Sequence, residues 1–118
     1  MKMVFGIAFC LMAAASAARE CVERDIPYAS PERCRLDVKW PEGKTNFPTV
    51  VWFHGGGLVS GGKHFIRIDE SIGQVSVNYR LLKKGGMADG ETCIRDAAAA
   101  VAWALDTLAR YGGDAQRV

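Results

Sequence analysis

The sequence predicts an α/β fold, on three observations. Short runs rich in β-branched and aromatic residues recur at 35–40, 48–53 and 74–79; a glycine-rich loop follows the second run directly; and residues 91–111 carry a helical period. Strand, loop, strand and helix in that order suit a mostly parallel sheet with flanking helices.

Residues 20–31 have mixed charge and two prolines, which suits an irregular opening or an edge strand. Arg-Leu-Asp-Val-Lys-Trp (35–40) alternates polar and apolar up to Pro41, as a half-buried strand does. Residues 41–46 form a turn cluster. Pro-Thr-Val-Val-Trp-Phe (48–53) is a continuous run, expected of a strand covered on both faces. Residues 74–79 read as a further strand. In the helix, Ile94, Ala97, Ala98, Val101, Leu105 and Leu108 share one face, which is expected to meet the sheet. Asp89 suits the N-cap, and Gly112-Gly113 suits the stop.

The 118 residues are 49% hydrophobic and 24% charged, which excludes a disordered, collagen-like or polytopic membrane chain. Lysine and arginine number 15 against 13 acids, too even a balance for a nucleic-acid partner. Residues 1–18 read as a signal peptide: Lys2, an apolar stretch from Val4 to Ala15, then Ser16-Ala17-Ala18. A secreted or periplasmic protein is therefore expected, with cleavage after Ala17 or Ala18. The apolar run falls short of the ~20 residues that span hydrocarbon, so no stable membrane span is expected.

Export leaves Cys21, Cys34 and Cys93. In an oxidising compartment Cys21 and Cys34 can close a short loop worth about 3 kcal/mol. Cys93 is then a buried thiol or the partner of a cysteine outside this chain. With no Cys-x-x-Cys pair and only His54 and His64, no metal site is expected. Lys83-Lys84 is most simply a solvated patch.

The chemistry concentrates in His54-Gly55-Gly56-Gly57. With 13 glycines and 2 histidines in the chain, chance supplies such a tetrapeptide roughly 0.003 times. Consecutive glycines allow positive φ and close approach to bare peptide N–H groups. Two such groups aimed at one point stabilise the oxyanion of a tetrahedral ester intermediate, by about 3–4 kcal/mol per donor. A phosphate-binding loop is the competing reading, but no lysine followed by serine or threonine closes it. No Gly-x-Gly-x-x-Gly leads into a helix either.

His-Gly-Gly-Gly after a strand resembles the oxyanion motif of α/β-hydrolase esterases and lipases. Leu36-Asp37-Val38 with Trp40-Pro41 resembles the family's early strand, and Val77-Asn78-Tyr79-Arg80-Leu81 its next strand end. Residues 96–103 resemble the helix before the nucleophile, and residues 111–118 the turn into the nucleophile strand. The resemblance spans about residues 35–118 and is closest to bacterial feruloyl-esterase-like and hormone-sensitive-lipase-like carboxylesterases. It implies that residues 19–118 are the N-terminal portion of an α/β-hydrolase domain, ending before the nucleophile elbow. It further implies oxyanion donors at Gly56 and Gly57, a tight turn at Gly55, and a loop pinned by the His54 imidazole. Leu58 stands where relatives often have an aromatic residue, and the short connector 64–73 implies a trimmed or absent helix.

No Gly-x-Ser-x-Gly occurs in the sequence. The resemblance therefore places nucleophile, acid and histidine beyond Val118. Ser60 lacks an elbow and reads as a loop hydroxyl, and His64, before the elbow, as a rim residue. Asp96 reads as an ion-pair or capping partner near Trp103 and Arg110, Asp114 as a turn residue, and Tyr79-Arg80 as a structural network. The function implied is a secreted serine esterase acting on a small-molecule or polysaccharide ester, such as acetyl or feruloyl esters, without cofactor. The alternative is a catalytically silent truncated or decayed hydrolase acting, if at all, as a binding module.

Overall fold

The computed structural model describes residues 19–82 and 89–118. The signal segment with Cys10, and Lys83-Lys84, lie outside the described residues. Four strands form one sheet: β1 (Glu20–Pro27), β2 (Arg35–Pro41), β3 (Thr49–Phe53) and β4 (Gly73–Val77), in spatial order β1-β2-β4-β3. The β1–β2 and β2–β4 pairs are antiparallel, and β3–β4 is parallel. Helix α1 (Gly90–Thr107) starts at Asp89, whose carboxylate accepts from the Thr92 amide at 2.9 Å. It tightens into a 3₁₀ turn (Leu108–Tyr111) that ends on Gly112 at φ +97°. The glycine thus caps the 3₁₀ turn rather than the α-helix itself.

The pleat sorts side chains between two faces. Leu36, Val38, Val75 and Val77 form the core with Ala100, Ala104 and Leu108 of the helical segment. On the opposite face, the polar residues of the β4 segment hold the crossover that a parallel pair requires. Gln74 accepts from the Ile66 amide at 2.9 Å and donates to the Ile66 carbonyl at 3.0 Å. Ser76 does the same for His64, at 2.7 and 2.6 Å, and Asn78 accepts from the Lys63 amide at 2.7 Å. Residues 63–66 therefore lie across the sheet with no helix in the crossover.

Three expectations are corrected. The helix buries Cys93, Asp96, Ala100, Ala104 and Thr107, whereas Ile94 and Leu105 are 69% and 47% exposed. Asp96 is drawn inward by Arg80, and the small Ala100 and Ala104 let the helix approach the sheet closely, which turns Ile94 and Leu105 of the predicted stripe outward while its Leu108 stays in the core. β4, not β3, is buried along its whole length, because β3 sits at the sheet edge and residues 50–53 stay half-buried. Finally, Cys34 and Cys93 are free buried thiols, so the Cys21–Cys34 loop is not formed.

Candidate active site

The loop after β3 begins with His54, which is 4% exposed. Its ring stacks on Tyr79 with centroids 4.5 Å apart, and the Tyr79 hydroxyl donates to the His54 carbonyl at 2.7 Å. The His54 Nδ1 lies 2.7 Å from the Gly55 carbonyl oxygen. A carbonyl can only accept, so Nδ1 is the protonated nitrogen. The other ring nitrogen, Nε2, is buried and has no hydrogen-bond partner among the described residues.

Two peptide planes follow from these anchors. The Gly55 oxygen is held by His54, so the Gly56 N–H of the same trans peptide points away from the imidazole. The Gly56 oxygen accepts from the Val59 amide at 3.1 Å, the Ser60 amide at 3.2 Å and the Ser60 hydroxyl at 3.3 Å. The Gly57 N–H therefore points out of that turn. Neither amide donates to an acceptor among the described residues. Gly56 adopts φ +125°, and a Cβ there would lie 2.0 Å from the Ser60 carbonyl oxygen, so only glycine fits. Gly57 (φ +65°) and Leu58 (φ +69°) continue the left-handed course.

Beside this loop lies a cavity of about 470 Å³, lined by Phe53, His54, Leu58, Tyr79, Gly90, Cys93, Ile94 and Ala97. Its walls are mostly apolar, which suits the hydrocarbon part of a small ligand. Cys93 donates to the Arg80 carbonyl at 3.1 Å. Asp96 accepts from the Arg80 amide at 2.8 Å and from its guanidinium at 3.0 and 2.7 Å. Burial by itself raises the Asp96 pKa, but these three donors outweigh it and hold the carboxyl below the ordinary aspartate value. The partner is Arg80; the angular neighbour Arg110 is not engaged with it.

The other singled-out residues lie apart from this constellation. Ser60 is exposed, with its hydroxyl turned back to its own loop. His64 is exposed on the crossover. Asp114 accepts from the Gln116 amide at 2.9 Å, a turn bond that holds its pKa down. Sequence reasoning missed Arg33, which reaches both the Tyr79 carbonyl and the Gly61 carbonyl at 2.8 Å. Nothing local in the Pro31-Glu32-Arg33-Cys34 turn announces so distant a pair of acceptors. Among the described residues no cluster of histidine, cysteine and acids could hold a metal ion.

The carboxylesterase family profile matches residues 14–118. Phenmedipham hydrolase of Pseudarthrobacter oxydans is 37% identical over 60% of the chain, and carboxylesterase 1E of Mus musculus is 34% identical over 75%. The chain spans only 16% and 18% of those two curated relatives. Among solved structures, a PNB esterase superposes with TM-score 0.68 at 21% identity, covering 80% of this chain and 32% of that one. The thermophilic carboxylesterase EstE1 from a metagenomic library gives 0.62 at 25% identity, covering 95% of this chain and 39% of that one. These neighbours are esterases of the α/β-hydrolase fold, and the four-stranded sheet with its helix corresponds to part of that fold. By sequence and by architecture, then, the chain belongs to the carboxylesterase family.

Proposed function

We propose that residues 54–57 form the oxyanion-binding loop of a secreted serine esterase. The observation that carries this reading is the pair of pinned carbonyls, Gly55 by His54 and Gly56 by Val59 and Ser60, which leaves the Gly56 and Gly57 amides without acceptors among the described residues, in a loop whose His54 and Leu58 line an apolar cavity. In the reaction, a serine attacks the ester carbonyl, the two amides take the charge that develops on its oxygen, and water releases the acid. No cofactor takes part. The nucleophile, acid and histidine come from residues following Val118, on a strand laid along β3. The start of such a course is supported by the parallel pairing of Phe47 with Gly113 and by the Thr49 amide donating to the Arg117 carbonyl at 3.0 Å. Residues 1–18 direct export, and acetyl or feruloyl esters are the substrate class.

The absence of Gly-x-Ser-x-Gly favours a second statement: these 118 residues alone are catalytically silent. The experiment compares the 118-residue chain with a longer protein carrying the following codons, both assayed on a short-acyl nitrophenyl ester. Turnover is expected only from the longer protein. Turnover by the short chain that disappears in Ser60→Ala overturns the placement of the nucleophile.

A further inference from the structure

We infer that Arg33 is a positioning residue for the 54–61 loop, an inference that deepens the oxyanion reading and rests on it for its catalytic meaning. The loop is closed at both ends by one brace. At its start, Tyr79 holds His54 through the hydroxyl and by ring stacking. At its end, Arg33 Nη2 donates to the Gly61 carbonyl while Nε donates to the Tyr79 carbonyl, both at 2.8 Å. A single guanidinium therefore ties the far end of the loop to the residue that clamps its near end. Its planar fork suits two acceptors at once, which a lysine ammonium on a flexible stem does not reproduce.

The brace rests on a firm base. Arg33 sits in a turn where the Cys34 amide donates to the Pro31 carbonyl at 2.9 Å and the Arg35 amide to the Arg33 carbonyl at 2.7 Å. Cys34 itself is fully buried. Among the described residues no carboxylate pairs with Arg33, so its charge is committed to the two carbonyls. The end it holds is tightly fitted: Gly61, at φ +101°, leaves room for a Cβ only 2.5 Å from the Gly55 oxygen and 2.6 Å from His54 Nδ1. A drift of Gly61 thus moves the same Gly55 carbonyl and imidazole that orient the Gly56 amide.

The test is amide exchange and ¹H–¹⁵N spectroscopy on the labelled chain with Arg33→Met, Arg33→Lys and Arg33→Ala. In Arg33→Met, the Val59 and Ser60 amides, which donate to the Gly56 carbonyl, are expected to exchange at least about tenfold faster, as loss of two charge-assisted bonds implies. The Gly56 and Gly57 cross-peaks should shift, with the Val75 and Val77 amides unchanged. Arg33→Lys should fall between. Ethylguanidinium should return the cross-peaks of Arg33→Ala towards their original positions, a rescue that lost packing alone would not show. Unchanged loop exchange in Arg33→Met overturns the inference, as does equal acceleration at Val75 and Val77. Failure of the oxyanion reading shows differently: the brace behaves as stated, yet the longer protein hydrolyses no ester.

Discussion

Asp96→Ala is expected to cost about 3 kcal/mol of folding free energy, and Asp96→Asn markedly less. The wild-type carboxylate is buried and takes three donors from one residue, the Arg80 amide and two guanidinium nitrogens. Removing one member of a buried pair costs about 3–5 kcal/mol, because the partner is left uncompensated. Here the lower end applies: the Arg80 side chain is 40% exposed and can turn its guanidinium to water, whereas its backbone N–H cannot follow. Asparagine still offers an oxygen to that N–H, so its cost is about 1–2 kcal/mol, close to the loss of the charge-assisted part. Urea unfolding followed by tryptophan fluorescence reads the difference, since Trp40 is buried in the core against Tyr111. The reasoning fails if Asp96→Ala lies within about 0.5 kcal/mol of wild type, the range of an ordinary surface change. It fails equally if asparagine is as damaging as alanine.

Acid should weaken the same pair. Because the folded-state pKa of Asp96 lies below its ordinary value of 3.8, its contribution is fully present above that value and lost as pH falls through the folded pKa; Arg80→Met should flatten this acid limb in pH-dependent unfolding. On the helix, Ile94→Glu should change stability by under about 0.5 kcal/mol, while Ala104→Leu, which overfills the core, should cost about 1–3 kcal/mol in the same titration. In the loop, Gly57→Ala has open space and bears only the left-handed penalty of about 1–2 kcal/mol. Gly56→Ala must displace the Ser60 carbonyl, and amide exchange of Val59 and Ser60 should rise only in that variant. Burial pushes the Cys34 thiol pKa up, so maleimide labelling at Cys34 should await unfolding and non-reducing peptide mapping should find no Cys21–Cys34 bond.

What was legible in the sequence was what short segments decide. The runs that became β2, β3 and β4 carry their own alternation or β-branched content, Asp89 caps through an amide three residues away, and the glycine-rich loop permits the positive φ that Gly56, Gly57 and Gly61 adopt. The helix face was not legible. Two apolar-compatible stripes exist on α1, and the one bearing a carboxylate won because Arg80, sixteen residues earlier, supplies donors that no local pattern reveals. The half-exposure of β3 is not legible either, because a run of Val-Val-Trp-Phe reads the same at a sheet edge as at its centre. Within the candidate site, the glycines were legible and their supports were not: Tyr79 and Arg33 reach the loop from elements that only tertiary folding brings together.

The crossover on the outer face of β4 has a consequence for how this segment can change over time. Gln74, Ser76 and Asn78 grip main-chain atoms of residues 63–66, indifferent to which side chains those residues carry. Composition along the strap is held separately, since Lys63 Nζ pairs with Asp25 at 2.8 Å and with the buried Asp37 at 2.9 Å, while its path length is metered by the two-residue step of the strand beneath. Insertions there should be selected against, with the three gripping residues and Lys63 drifting least.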